Sequence, residues 1–192
     1  MIMIGITGTL GAGKGTIVDC LKERGFSHFS ARDFLVKEIE KRGLPINRDS
    51  MTSTANAIRR EYGNDYIIRS MMDQALKEGK NCVIESVRNP EEVLLMRKVS
   101  GFYLFSVDAD LKIRYERIKL RKSETDNVDF ETFVANEQRE MNPQNGKSQD
   151  IGSGMAMADY RFENNSDIAA LRERVNAVIS EIERKTRPSW EE

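Results

Sequence analysis

Apolar residues fall into two kinds of run along the chain. Short continuous runs, "MIMIGIT" at the start, "NCVIES" at 81–86 and "GFYLFSVDA" at 101–109, read as strands buried on both faces, because a strand covered by helices on each side has no polar face. "SHFS" (27–30) and "ADYRFENN" (158–165) read as two shorter strands. Between them the apolar residues recur at helical spacing. "TIVDCLKERG" predicts a helix stopped by Gly25, and "RDFLVKEIEKRG" one stopped by Gly43. "MTSTANAIRREYG", "DYIIRSMMDQALKEGK", "NPEEVLLMRKV", "DLKIRYERIKLRK" and "FETFVANEQREM" predict five more. "NPQNGKSQDIGSGMAM" (142–157) reads as a loop rich in glycine and polar groups. "SDIAALRERVNAVISEIERK" predicts a closing helix capped by Ser166, with Ile168, Leu171, Val175, Val178 and Ile182 on its buried stripe.

Alternating strands and helices point to a parallel sheet covered on both faces. Ligands of such sheets bind beyond the carboxyl ends of the strands, so chemistry is sought just after each strand. With 192 residues, one domain spanning 1–192 is expected, long enough to bury a sizeable core.

Charge changes the picture only by exclusion. Thirty Lys and Arg against 31 Asp and Glu give a net charge of -1, so no global basic field draws the chain to nucleic acid or an anionic membrane. The apolar opening is too short for a signal-peptide core or a membrane span. Cys20 and Cys82 form no C-x-x-C and read as small buried apolar groups in a reducing cytoplasm.

Candidate chemistry begins in "GITGTLGAGKGTI" (5–17), where Gly8, Gly13 and Lys14 fit G-x-x-x-x-G-K between a buried strand and a helix. Gly8, Gly11 and Gly13, with the small Ala12, let the main chain wrap a phosphate with its N–H groups inward. The following helix adds its positive end, and Lys14 a charge for the β- and γ-phosphates. In the general motif a hydroxyl follows the lysine and ligates magnesium; here Gly15 stands there, and Thr16 comes one place late. No N-K-x-D, no post-strand D-x-x-G and no L-S-G-G-Q is present, which argues against a switch GTPase or a transporter ATPase.

Arginines and carboxylates follow the strands. "VIESVRN" sets Glu85 at a strand end, suited to hold metal-bound water, and Arg88 three residues on, suited to bridge two phosphoryl groups with its planar fork. A surface pair of Arg88 with Glu91 or Glu92 is the competing reading. Arg114, Arg117 and Arg121 share one helical stripe beside the apolar Leu111, Tyr115 and Ile118, which makes either a lid closing on transferred charge or a solvated basic face. Arg139 reads equally as a lid member or as a partner of Glu137 and Glu140. Asp33 follows the second strand, and "AIRREYG" offers Arg59 and Arg60. The single histidine, His28, reads as structural. Met155 and Met157 are weak candidates to flank a base.

Together "GITGTLGAGKGT", "VIESVRNPEEV", "RYERIKLR" and "ADYRFENNSDIAALRERV" resemble adenylate-kinase-like P-loop nucleoside and nucleotide kinases, near the dephospho-coenzyme A kinases. The resemblance implies a three-layer α/β P-loop NTPase fold: a five-stranded parallel sheet, helices on both faces, a helical lid at about 114–140 and an acceptor-binding insert at about 33–75. It implies ATP held by residues 8 and 11–16 and by Asn164 near the adenine, with Thr16 on the α-phosphate. Mg2+ would come with the ATP, and Glu85 would reach it through water. It implies Lys14, Arg88, Arg117 and Arg121 as catalytic groups, and Asp33, Arg59, Glu85 and Arg88 at the acceptor. Dephospho-coenzyme A kinases carry an aspartate base for a hydroxyl after the second strand; in a gapless reading Ser30 and Arg32 stand at their aspartate positions, and only Asp33 is acidic. A phosphate acceptor needs no base. The expectation is therefore a cytoplasmic, magnesium-dependent kinase of a nucleoside monophosphate, a monomer or weak dimer. Dephospho-coenzyme A kinase, or a nucleotide-binding regulator or slow ATPase, are the alternatives.

Overall fold

The computed structural model describes residues 1–121, 128–141 and 150–186. Five strands, β1 (Met3–Gly8), β2 (Ser27–Phe29), β3 (Cys82–Glu85), β4 (Phe102–Asp108) and β5 (Tyr160–Glu163), form one parallel sheet in the order β2-β3-β1-β4-β5. The helices are α1 (Lys14–Glu23), α2 (Ala31–Lys41), α3 (Arg48–Tyr62), α4 (Tyr66–Glu78), α5 (Pro90–Met96), α6 (Leu111–Leu120), α7 (Phe130–Met141), α8 (Ile151–Ala156) and α9 (Ile168–Thr186).

Alternation along β1 shows how the layers form. Ile2, Ile4 and Ile6 enter a core with Ile17 and Leu21 of α1 and Leu171, Val175 and Ile179 of α9. Met3 enters the opposite core, with Ile67, Ile68 and Met71 of α4 and Met96 of α5. A strand buried on both faces has no place for a polar residue, which is why the run is continuous. The expected three-layer P-loop fold with five parallel strands is the fold observed. Since β1 is central and every strand is parallel, the segments after β1, β3 and β4 leave the same edge side by side.

Three local expectations need correction. Residues 151–156, read as loop, form α8: Asp150 accepts from the Ser153 N–H, and its own N–H donates to Arg88 O at 3.0 Å. Two glycines give this helix poor propensity, so docking holds it: a methyl at Gly152 would lie 2.8 Å from Met141 O. Asp167, not Ser166, accepts from the Ala170 N–H at the start of α9. Ile168 is 62% exposed, and Ile179 takes the buried place on the stripe. Cys20 and Cys82 are free and buried, as expected. Among the described residues no helix is long and apolar enough to cross a membrane.

Candidate phosphoryl-transfer site

The loop from Gly8 to Gly13 joins β1 to α1 in a conformation only glycine tolerates. Gly8 has φ +145° and Gly13 φ +112°. A methyl at Gly8 would lie 2.1 Å from the Val107 carbonyl oxygen, and one at Gly13 2.6 Å from Asn164 Nδ2. At Gly15 a methyl would meet nothing within 4 Å. The chain omits the hydroxyl there for no steric reason.

Several of the loop's polar groups are bonded within the protein. Lys14 Nζ donates to the carbonyls of Gly8 (2.8 Å) and Thr9 (2.7 Å). Thr9 Oγ1 donates to Asp108 Oδ1 at 2.6 Å. Thr16 N–H donates to Gly13 O at 3.0 Å in the first turn of α1. Gly11 and Ala12 are buried. Asn164 Nδ2 donates to Ala12 O at 2.8 Å from a side chain that is itself buried. Asn164, expected near the adenine, thus lies beneath the loop as a brace. Its Oδ1 is buried without a partner among the described residues. Asn165 bonds instead to Asp110.

Burial of its ammonium lowers the Lys14 pKa to about 8; Arg88 and Arg121 push the same way, against Glu140 and Glu85. The charges felt by Lys14 define the cluster. Arg88 and Arg121 stand within electrostatic reach of it, with Glu85 and with Glu140 of α7, which the sequence assigned no such role.

Glu85 ends β3, and its pKa is lowered chiefly by His28, whose Nε2 lies 3.5 Å from Oε2, and further by Ser30 and Lys14. The single histidine therefore lies beside a carboxylate, although its buried Nε2 makes no hydrogen bond among the described residues. Ser86, next in sequence, is the non-glycine residue with positive φ (+68°) among the described residues, a costly backbone state that turns the chain from Glu85 toward Arg88. Arg88 Nη1 lies 3.9 Å from Glu140 Oε2. The surface pairing of Arg88 with Glu91 or Glu92 takes another form: the buried Glu92 carboxylate accepts the main-chain N–H of Arg88 at 2.6 Å and of Asn89 at 3.2 Å, fixing the turn that presents Arg88. Burial raises the Glu92 pKa to about 7.

The predicted arginine stripe on α6 does not act as one face. Arg114 is buried. It pairs through both terminal nitrogens with Glu137 of α7 and donates from Nε to Ala109 O at 2.6 Å. It ties α7 to α6 and to the loop, where Leu10 O accepts from Nη1 at 3.3 Å. Arg117 turns away from Lys14, toward the β5–α9 connection, where Nη2 donates to Ser166 O at 3.1 Å. Arg121 stays near Lys14. Arg139 pairs with Asn136, so neither of its predicted partners holds it. The remainder of the expected lid, residues 122–127, lies outside the described residues.

Beside this cluster opens a cavity of about 230 Å³ between α2, α3, α4 and the β3–α5 turn. Arg32, Arg59 and Arg88 line it with Glu92, Ser86, Asn56 and Thr52, and Leu35, Met51, Ala55, Ile67 and Ile68 form its apolar wall. Arg59 Nε is buried without a partner among the described residues, and burial lowers its pKa. Asp33, expected at the acceptor, does not line the cavity. It is exposed, its N–H bonded to Ser30 Oγ, and the neighbouring Arg32 lines the wall instead, because one step along a helix turns a side chain by about 100°. Met157 is half-buried and packs against the core.

The sequence assigned no site role to Arg32, Glu92, Glu137, Glu140 or Asp108. Only Asp108 carried a signal, since it ends a strand. The others act through tertiary pairings that no motif records. No group of three or more His, Cys, Asp or Glu that could hold a metal occurs among the described residues. With Gly15 in place of a hydroxyl, the groups present suit a magnesium ion carried by phosphates and water, with Glu85 able to hold one of its waters.

Among solved structures, shikimate kinase from Bacteroides thetaiotaomicron superposes with a TM-score of 0.62 at 14% identity, covering 93% of this chain and 98% of that one. A dephospho-CoA kinase from Campylobacter jejuni gives 0.55 at 18%, covering 94% and 96%. Both are likenesses of fold. A UPF0200 protein of Methanocaldococcus jannaschii is 30% identical over 185 residues, 95% of this chain and 91% of the relative. The family described as AAA domain matches residues 4–143. The loop, the parallel sheet and these matches agree: the chain belongs to the AAA domain family and to the UPF0200 proteins, with a P-loop kinase-like fold.

Proposed function

We propose that the protein is a phosphotransferase that passes the γ-phosphoryl group of ATP to a small anionic acceptor, a nucleoside monophosphate. The observation that carries this reading is Arg88, which belongs both to the charge cluster around Lys14 and to the wall of the arginine-lined cavity. An acceptor phosphate held by Arg32 and Arg59 would present an oxygen to the γ-phosphorus of ATP in the loop. The new O–P bond forms as the bond to the β–γ bridging oxygen breaks, and ADP leaves. Lys14, Arg88 and Arg121 face the charge in flight. Magnesium, brought in with ATP, would supply charge neutralisation at the β- and γ-phosphates. Glu85, whose pKa is lowered chiefly by the neighbouring His28, would hold one of the ion's waters. Arg121 and α7, tethered through Glu137 to Arg114, act as the lid. Arg117 belongs to the nucleotide side, near Ser166.

A hydroxyl acceptor is the second reading, favoured by the Glu85–His28 pair. That pair supplies an ionised carboxylate at a strand end next to the cavity-lining Ser86, where Asp33 does not reach. Measuring ADP formation with nucleoside monophosphates, with dephospho-coenzyme A and with no acceptor separates these. Stimulation by a monophosphate upholds the proposal. Stimulation by dephospho-coenzyme A alone upholds the second reading. A rate indifferent to every acceptor overturns both in favour of a slow ATPase or regulator.

A further inference from the structure

A carboxylate from outside the sheet stands among the cations around Lys14. Glu140, in the last turn of α7, has Oε2 at 3.9 Å from Arg88 Nη1, and its charge acts on Lys14 as well. With Thr9 and Leu10 of the phosphate loop it lines a cavity of about 40 Å³ between α7 and the loop. Glu85, the other carboxylate that Lys14 feels, is drawn aside toward His28 and Ser30.

The packing of α7 fixes this placement from two sides. One turn before Glu140, Glu137 pairs with the buried Arg114, and a turn before that Phe133 lies buried against Tyr115, with ring centroids 5.5 Å apart. Residues three apart on a helix share a face, so the contact that holds Glu137 turns Glu140 toward the loop. On the other side, Met141 O lies so near Gly152 of α8 that a methyl there would come within 2.8 Å of it. The start of α8 is in turn bonded to Arg88, whose carbonyl accepts the Asp150 N–H at 3.0 Å. Glu140 and Arg88 are therefore held on one frame.

The γ-phosphate of ATP in the loop needs the same cations. Two anions on one set of cations repel, and the carboxylate, at the end of a rotatable side chain, is the one able to leave. ADP ends at its β-phosphate and makes no such demand. We propose that Glu140 is an internal anion standing in the place of the γ-phosphate, which ATP displaces and ADP does not. The contact of α7 with the loop thereby senses the triphosphate. ATP affinity is reduced by the fraction of molecules in which the carboxylate holds the cations. This inference rests on the proposed function for the identity of the cluster as the γ-phosphate site, but its test reads binding without turnover.

Isothermal titration of ATP and of ADP into the protein and into Glu140→Gln, each with magnesium and with EDTA, tests it. The amide keeps the shape of the side chain and removes its charge. Glu140→Gln is expected to bind ATP about three- to tenfold tighter and ADP within about twofold of the unsubstituted protein, with or without magnesium. Glu131→Gln, which removes the same charge from the exposed first turn of α7, is expected to change neither affinity. Equal tightening of both ligands, or the same gain from Glu131→Gln, overturns the inference, because a diffuse field would produce either. An unchanged ATP-to-ADP ratio overturns it too. So does weaker ATP binding, which, if seen only with magnesium, would make Glu140 a holder of the ion's water. The expected shift in ratio with no acceptor-stimulated ADP formation would uphold the inference and overturn the proposed function. An unchanged ratio in a protein that a nucleoside monophosphate does stimulate would do the reverse.

Discussion

The phosphate loop and the arginine-lined cavity adjoin at Arg88, yet they handle polar groups in opposite ways. Lys14 is bonded to two loop carbonyls, Thr9 to Asp108, and Ala12 to Asn164. Across the turn, Arg59 keeps a buried Nε without a partner among the described residues, and Glu92 is buried enough to titrate near neutrality. The loop's side chains are mostly paired before a ligand arrives, with Asn164 Oδ1 the exception beneath it, and Lys14 exchanges carbonyls for phosphate oxygens. The cavity leaves a donor unsatisfied that a ligand would complete, so its affinity would derive in part from relieving that cost. The first arrangement favours rigidity and the second selectivity.

Mutation can break this contrast. The largest effect is expected at Gly8, where alanine would meet a backbone oxygen and a strained φ: Gly8→Ala should lose about 2 kcal/mol or more in urea unfolding. Gly15→Ala, in open space, should be neutral or slightly stabilising. Comparable losses at both would mean the loop is not rigidly set. Next comes Lys14→Ala, expected to fold normally by circular dichroism and to lose about 10²–10³-fold in phosphoryl transfer. Near-normal turnover would remove the lysine from the mechanism.

Arg117 of α6 and Arg121 at its end sharpen the division further. Arg121→Ala is expected to lower kcat about tenfold with little change in the ATP KM, since it stands with Lys14. Arg117→Ala, on the Ser166 side, should mainly raise that KM. Identical profiles would return both to one undivided stripe. The smallest effect concerns pH. The ligand-free protein holds Lys14 near pKa 8 against an ordinary 10.5. Below pH 8 the lysine is protonated both folded and unfolded, and the full cost of burying its charge is present. From 8 to 10.5 the unfolded chain binds the extra proton, so stability rises with pH. Bound phosphate favours the ammonium, so ATP binding should take up a proton above pH 8. Affinity should fall there by at most about tenfold per pH unit. Calorimetry in buffers of different ionisation heat reads that uptake directly; none at pH 9 would contradict the burial of this ammonium.

Legibility in the sequence followed the kind of atom involved. The loop works through main-chain geometry, so glycines at set spacing name it, and β1 before it and α1 after it were visible as an apolar run and a helical period. The braces around it were not visible. Asn164 reaches Ala12 across 152 positions, and Glu137 reaches Arg114 from a different helix. The α6 stripe is a case where periodicity misled. The arginines at 114 and 117 lie on α6 and Arg121 caps its end, but one is consumed by a buried pair, one bonds toward α9, and one remains with Lys14.

By itself the sequence determined the order and kind of almost all elements, the parallel three-layer fold and the phosphate loop. These depend on local periodicity, turn residues and a contiguous motif, all of which act within a few positions. Only the tertiary structure decided that Arg32 lines the cavity in place of Asp33, that Glu92 clamps the turn before α5, and that α8 forms at all. Each of those outcomes is set by which side chains meet across the sheet's edge. A buried charge or a weak helix is stable only when such a partner arrives, and the chain carries no local mark of which partner it will be.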